Sequence, residues 1–160
     1  MARVIATFFF VGLLKPAPGT WGSAAAALVA LPIMLLGGPI WLAFGVALSF
    51  ALGVWATARE ITPSEPDPSR VVIDEVAGQW LALLPVAFML EALGQGAAFY
   101  GASFLAFGAF RLFDIAKPWP VSWADKRHDA WGVMLDDILA GCLAGGCVWA
   151  ILHVYLSYGV

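Results

Sequence analysis

Residues 21–58 read WGSAAAALVALPIMLLGGPIWLAFGVALSFALGVWATA, and none of these 38 residues carries a charge. A helix crosses the hydrocarbon core of a bilayer in about 20 residues, so this stretch is long enough for two crossings. The sequence Gly37-Gly38-Pro39 divides it and is typical of a tight turn. The stretch therefore predicts two membrane helices, at about 22–36 and 40–58, joined by a turn.

The composition of the whole chain also indicates a membrane protein. Its 160 residues are 62% hydrophobic and 12% charged, whereas soluble domains are roughly 45–50% apolar and about 25% charged. A chain of this length forms one domain, which we assign to residues 1–160, and it is too small to bury so much apolar surface in water. The composition excludes a soluble globular protein, a disordered chain and a nucleic-acid binder.

Three further helices are predicted from the distribution of apolar residues. A Gly94-Gln95-Gly96 break divides the next apolar region into helices at about 76–92 and 97–112, and a last helix covers about 138–158. The segment Val4–Leu14 is too short to cross and fits a short interfacial or re-entrant helix. The predicted fold is an all-α, polytopic membrane bundle of about five transmembrane helices plus this N-terminal helix.

The positive charges predict the orientation of the bundle. All eight Lys and Arg residues lie near the N-terminus or in three polar islands, at 15–23, 59–75 and 111–137. If the helices pair as hairpins, the islands share one membrane face, and the positive-inside rule makes that face cytoplasmic. The chain is therefore predicted to be a multi-pass protein whose polar face is cytoplasmic and whose end, Tyr158–Val160, lies outside.

Two pairs of adjacent acids, Asp74-Glu75 and Asp136-Asp137, stand at predicted helix starts. The helix dipole and capping stabilise an acid there by roughly 0.3–1 kcal/mol, which accounts for a single acid without any ligand. Four carboxylates that converge on one membrane face repel one another, however, and a divalent cation relieves that repulsion. Because hard oxygen ligands suit Mg²⁺, we predict that these four acids hold Mg²⁺.

A second charged cluster, in FRLFDIAKPWP, consists of Arg111, Asp114 and Lys117. Spacings of three place these side chains on one face of a helix that Pro118 ends. The cluster can be a surface ladder of ion pairs, which adds little stability. It can also bind phosphate oxygens, with Arg as a fork and Lys as a point charge. Both interpretations stay open from these residues alone.

A Pro- and Gly-rich turn, KPAPGTWGS at 15–23, opens the first long helix, with Ser23 as its predicted N-cap. The start of a helix offers backbone N–H groups to an anion, although many helices begin in this way without binding one. Lys15, at the edge of the turn, suits a phosphate or a lipid headgroup.

Four segments in this order resemble the bacterial phosphatidylglycerophosphatase A family: GLLKPAPGTWGS at 12–23, VIDEVAGQW at 72–80, FRLFDIAKPWPV at 110–121 and GVMLDDILAG at 132–141. The resemblance extends from about residue 12 to residue 145. It implies a Mg²⁺-dependent phosphatase of the bacterial inner membrane. Such an enzyme hydrolyses phosphatidylglycerophosphate to phosphatidylglycerol and inorganic phosphate, the last step of phosphatidylglycerol synthesis.

The resemblance also implies roles for individual residues, with water as the nucleophile and Asp114 either orienting it or holding Arg111. The implied ligands of one or two Mg²⁺ ions are Asp74, Glu75, Asp136 and Asp137. The implied catalytic residues are Arg111, Asp114 and Lys117. The implied substrate-binding residues are Lys15, Thr20, Ser23, Arg111 and Lys117.

A small membrane transporter, a non-catalytic membrane subunit and a lipid transferase are the alternative functions. A transporter needs ionisable groups in mid-span, and the two candidates, Glu91 and His153, lie toward predicted helix ends. The expected partners are the phospholipid substrate and the bilayer, and a homo-oligomer is left open.

The enzyme hypothesis predicts how acid substitutions behave. Glu75→Gln, Asp136→Asn and Asp137→Asn should abolish phosphate release and leave membrane insertion intact. Asp67→Asn should be nearly neutral, because residues 62–69 read as an exposed, extended linker.

Overall fold

The computed structural model describes residues 1–158, so the last two residues of the predicted outer end lie outside the described residues. Within residues 1–158 the regular elements are helical, which confirms the all-α class. A 3-10 turn covers Val11–Leu13 and a π-helical turn covers Ile33–Gly37. The helices are α1 (Ala2–Ala6), α2 (Pro18–Pro32), α3 (Gly38–Thr57), α4 (Ile73–Phe88), α5 (Leu90–Leu93), α6 (Ala97–Ala116), α7 (Val121–Asp125) and α8 (Ala130–Tyr158).

Helix α4 lies at the centre of the bundle, and α2 and α3 pack on it in opposite directions. The Trp80 indole N–H donates to the Ala26 carbonyl at 2.8 Å, which joins α4 to α2, and α2 runs in the same direction as α4. On α3, Gly45 lies against Trp80 and Gly53 lies against Ile73, so α3 runs in the reverse direction. The C-terminal end of α3 therefore meets the N-terminal ends of α2 and α4.

Helices α6 and α8 complete the bundle around α4. Phe110, near the C-terminal end of α6, lies against Gly78 in the second turn of α4, so α6 is antiparallel to α4. Gly141 of α8 also lies against Gly78, and Gly145 lies against the next turn of α4, so α8 is parallel to it. All three predicted polar islands consequently meet at one end of the bundle.

Three helical segments are long and apolar enough to cross a membrane, namely residues 18–57, 97–116 and 130–158. The first contains both predicted helices, α2 and α3. The turn predicted at Gly37–Pro39 is present, because Gly38 has φ +75° and ψ −171°, a backbone conformation that glycine adopts without steric cost. Helix α4, with 16 residues, is shorter than these segments.

The N-terminal segment is not the single helix that we expected at Val4–Leu14. Helix α1 ends early because Phe8, Phe9 and Phe10 have left-handed φ values of 43°, 55° and 71°. The Thr7 hydroxyl accepts a hydrogen bond from the Phe10 N–H at 3.1 Å and stabilises this turn. A 3-10 turn then follows, so the segment consists of two short helical pieces.

Two predicted helix starts are wrong. Helix α2 begins at Pro18, before the predicted N-cap Ser23, and α8 begins eight residues before the predicted position 138. The Asp129 carboxylate accepts a hydrogen bond from the Gly132 N–H at 2.7 Å and caps the first turn of α8. Ser23 and Asp136-Asp137 consequently lie inside helices instead of at their starts.

We expect Gly78→Ala to destabilise the protein, because a Cβ at Gly78 would lie 2.5 Å from both the Asp137 carbonyl oxygen and the Phe110 ring. Overfilling a close-packed site of this kind costs about 1–3 kcal/mol. The check is the midpoint of thermal unfolding in detergent. Gly146→Ala is the matched control, since no atom lies within 4 Å of its added Cβ. Equal midpoints for the two variants would contradict the close packing of α4 on α8.

Candidate active site

A cavity of about 260 Å³ opens at the end of the bundle where the polar islands meet. Helices α2, α4, α6 and α8 contribute to its wall, together with the linker between α3 and α4 and the segment that contains α7. Its polar lining residues are Thr20, Asp67, Ser69, Asp74, Glu75, Arg111, Asp114, Lys117, Asp125, Arg127, His128, Asp136 and Asp137. Residues from all three islands therefore form one site.

Three carboxylates from three helices lie together at this cavity. One oxygen from each of Glu75 in α4, Asp114 in α6 and Asp137 in α8 lies within 4.8 Å of the other two. Glu75 and Asp137 are buried, and the Asp114 side chain is 13% exposed. We call Glu75, Asp114 and Asp137 the carboxylate triad. Burial of three acids at this spacing is costly unless cations compensate their charge.

Arg111 supplies the cation nearest to the triad. Its Nη1 donates to Glu75 Oε1 at 2.7 Å and to Oε2 at 2.6 Å, and it lies 2.7 Å from Asp114 Oδ2. Its Nη2 has a long contact of 3.5 Å to the Thr20 hydroxyl, whereas its Nε is buried without a hydrogen-bond partner among the described residues. The Nη2 group of the guanidinium therefore keeps donor capacity for a further anion.

The N-terminal part of α2 supports the triad from one side. The buried Ser23 hydroxyl lies 2.6 Å from Glu75 Oε2, to which it donates, and 2.9 Å from the Gly19 carbonyl oxygen of the preceding turn. Gly19 leaves the room that this approach needs, since a Cβ there would lie 2.2 Å from Glu75 Oε1. The glycine and the serine of the GTWGS segment thus fix the position of Glu75.

Lys117 lies at the edge of the same cavity, directly after α6. Its Nζ donates to Asp136 Oδ2 at 2.9 Å and also to Asp125 of α7. Burial by itself lowers the pKa of Lys117, but the hydrogen bonds to Asp125 and Asp136 outweigh it and raise the pKa above the ordinary value. Lys117 therefore stays cationic and joins α6, α7 and α8 at the cavity.

The structure brings most of the predicted site residues together. Asp74 and Asp136 line the cavity beside the triad, and each accepts a hydrogen bond from the N–H of the next residue, at 2.9 Å and 3.0 Å. Thr20 lines the cavity and Ser23 reaches it through Glu75. Lys15 is exposed and is not among the residues that line the cavity, so its role in substrate binding stays a prediction.

Sequence reasoning missed part of the wall. Asp125, Arg127 and His128 line the cavity, although no motif in the sequence marks them. Asp67 and Ser69 belong to the linker, which is exposed as predicted but also lines the cavity. No periodicity marks these positions, because Asp125 ends a helix of only five residues and the others lie in irregular segments. Only the tertiary structure brings them to the cavity.

The donor set of the triad fits a hard divalent cation. Carboxylate oxygens from three helices are the ligands that Mg²⁺ and Ca²⁺ take, and neither sulfur nor imidazole ligands are part of this group. Arg111 and Lys117 add positive charge on the same cavity. The site is thus suited to bind a phosphate ester between a cation held by carboxylates and two basic side chains.

Comparison with known proteins identifies several relatives. The family model described as phosphatidylglycerophosphatase A matches residues 4–152. A protein of that name from Haemophilus influenzae is 34% identical over 154 residues, covering 94% of this chain and 88% of the relative. One from Escherichia coli K12 is 32% identical over 161 residues, covering 94% and 83%. A Bacteroides thetaiotaomicron protein, described as a candidate phosphatidylinositol-3-phosphatase, is 34% identical over 142 residues, covering 86% and 85%. No solved structure matches significantly.

Proposed function

The chain belongs to the phosphatidylglycerophosphatase A family, and we propose from that premise that it hydrolyses phosphatidylglycerophosphate to phosphatidylglycerol and inorganic phosphate in the cavity described above. The observation that carries the assignment of the site is the carboxylate triad with Arg111 between two of its members. This arrangement combines a candidate cation site with a basic side chain in one cavity, which is the combination that metal-assisted hydrolysis of a phosphomonoester uses.

The triad is the proposed Mg²⁺ site, with Glu75, Asp114 and Asp137 as ligands. When bound, Mg²⁺ neutralises phosphoryl oxygens as a Lewis acid and activates water as the nucleophile. Asp74 and Asp136 line the same cavity outside the triad, and their predicted role as further ligands stays a prediction. The ion pair of Asp114 with Arg111 supports the interpretation that Asp114 holds Arg111, and its role in orienting the water stays a prediction.

The basic residues are the proposed binders of the phosphate. Arg111 has its Nη1 on the carboxylates, so its Nη2 is the group that can donate to a phosphate oxygen. Lys117 stays cationic and offers a point charge at the same cavity, where its Nζ also bonds the Asp136 carboxylate. Ser23 and Thr20 act indirectly. Ser23 holds Glu75 by a hydrogen bond, and Thr20 has a long contact with Arg111.

We propose that α2, α3, α4, α6 and α8 all cross the inner membrane and that the cavity faces the cytoplasm. These helices alternate in direction along the chain. The segments that carry the Lys and Arg residues therefore lie at the end of the bundle where the cavity opens. The positive-inside rule then assigns this end to the cytoplasm. Helix α4 is short for a crossing, but the neighbouring helices surround it, so little of its surface needs to contact lipid.

Removal of divalent cations is expected to stop the reaction. We expect EDTA to abolish release of inorganic phosphate from short-chain phosphatidylglycerophosphate by the purified protein in detergent, and added Mg²⁺ to restore it. The physical reason is that Arg111 offsets only part of the charge of the three carboxylates, which without a metal ion repel the phosphate that the site must bind. Activity that survives EDTA treatment would contradict the metal site and leave the hydrolytic function in place. Loss of phosphate release under all conditions, with Mg²⁺ present, would contradict the function itself.

A further inference from the structure

We propose that the linker wall of the cavity binds the alcohol part of the substrate, with the Asp67 carboxylate accepting a hydrogen bond from the free hydroxyl of the head glycerol. This inference rests on the proposed function. It names the residue that would distinguish a glycerol ester from other phosphomonoesters bound at the same triad.

The cavity has two chemically different parts. The helices contribute Glu75, Arg111, Asp114 and Asp137, whose charges suit a cation and a phosphate. The linker contributes Pro66, Asp67 and Ser69, which include no positive charge. Asp67 repels a doubly charged phosphate, whereas Arg111 and a cation held at the proposed triad site would attract it, so we expect the ester to bind with its phosphate toward the helices and its alcohol toward the linker.

The linker is held firmly enough to form a binding wall. Arg70 pairs with Glu65 at 2.7 Å and with Glu60 at 3.3 Å, which joins the two ends of the linker. The backbones of Thr62 and Glu65 exchange two hydrogen bonds of 3.0 Å. Asp67 stands between two prolines, whose rings restrict the backbone on either side. Its carboxylate is therefore presented from a restrained segment.

Two other charged groups of the cavity mouth already have partners. Asp125 is bonded to Lys117, and Arg127 is paired with Asp129 at 2.9 Å. Asp67 forms none of the ion pairs found within residues 1–158, so its oxygens remain available to a neutral hydroxyl donor. A hydrogen bond from a hydroxyl to a carboxylate is of the strong, charge-assisted kind.

The chemistry of the substrate places this hydroxyl within reach of the same cavity. In phosphatidylglycerophosphate the free hydroxyl is on the carbon next to the one that bears the phosphate ester. A group that binds it must therefore line the cavity that binds the phosphate, as Asp67 does. Because Asp67 lines the cavity, we now expect Asp67→Asn to lower activity, whereas the sequence alone led us to expect a nearly neutral effect.

The test compares two substrates that differ by one hydroxyl: short-chain phosphatidylglycerophosphate and its analogue in which 1,3-propanediol replaces the head glycerol. We expect wild-type kcat/KM to fall about tenfold or more on the analogue, the effect of one hydrogen bond to a charged group. Asp67→Ala should lower kcat/KM for the glycerol substrate to the level of the analogue and leave the analogue unchanged. Asp67→Asn keeps a neutral acceptor, so its kcat/KM for the glycerol substrate should lie between the values of the wild type and of Asp67→Ala.

The control is Glu91→Gln, which removes one negative charge from α5 at the opposite end of α4 and should keep the wild-type ratio. Wild-type hydrolysis of the glycerol substrate tests the proposed function in the same assay. A wild-type enzyme with equal kcat/KM on both substrates, or an Asp67→Ala variant that retains the wild-type ratio, would overturn the alcohol subsite while hydrolysis itself stands. An equal loss on both substrates would also overturn it, because Asp67 would then act on the phosphate or on the fold.

Discussion

Glu75→Gln is expected to reduce phosphate release at least about a thousandfold, because a metal ion stabilises the transition state by several kcal/mol and each 1.4 kcal/mol is a factor of ten. The substitution keeps the size of the side chain and removes one carboxylate from the triad. Asp114→Asn and Asp137→Asn should have effects of the same order, since each removes one of the other two triad carboxylates. The measurement is inorganic phosphate released per enzyme at saturating Mg²⁺.

The other acid substitutions are expected to differ in lost activity according to where each acid lies. Asp136→Asn is expected to lose less than the triad variants, because Asp136 lies outside the triad and bonds Lys117. This revises our sequence-based expectation that it abolishes activity. Glu91→Gln serves as the control for loss of a charge and should retain wild-type activity. Wild-type rates in Glu75→Gln, with the protein inserted in the membrane, would contradict the assignment of the triad.

Arg111→Met is expected to lose both activity and stability. The Arg111 side chain is 16% exposed and has ion pairs with Glu75 and Asp114. Removing one partner of a buried ion pair costs about 3–5 kcal/mol, because the remaining charges are left uncompensated. Arg111→Lys should keep part of the stability and still lose activity, since an ammonium lacks the planar fork that takes two oxygens. Thermal unfolding in detergent and phosphate release measure the two effects separately.

A double substitution isolates the cause of the stability loss. If uncompensated charge destabilises Arg111→Met, then adding Glu75→Gln should recover part of the lost stability, because it removes one of the stranded carboxylates. Activity should stay absent in the double variant. Additive destabilisation of the two changes would show that Arg111 stabilises the fold by packing and not by its charge on Glu75.

The topology of the site could be predicted because charge and hydrophobic length are local properties of the sequence. The charge-free run at 21–58 predicted two helices and their turn at Gly37–Pro39. The clustering of Lys and Arg predicted that the three polar islands lie at one end of the bundle. The prolines after Lys117 marked the end of α6 correctly at Ala116. These features depend on the charge and apolar length of each segment and on the positions of its prolines, and all of these can be read from the sequence.

The membership of the triad could not be predicted in the same way. Neighbouring residues of a helix point roughly 100° apart, so only one acid of each adjacent pair faces a given direction. The structure turns Glu75 and Asp137 toward Asp114, and leaves Asp74 and Asp136 beside them. That choice depends on helix rotation and on packing against neighbours. The start of α8 at Ala130, ahead of the predicted position, moved the second acid pair inside the helix.

The close contact of Gly78 with Gly141 has a consequence for how variable the loops can be. Glu75 lies three residues before the first of these glycines and Asp137 four residues before the second, so the crossing of two backbones sets the separation of the acids. Connecting segments of different length and composition can therefore be exchanged among relatives without displacing either acid. We therefore expect sequence divergence to concentrate in the connecting segments, while the two glycines at the crossing stay constant.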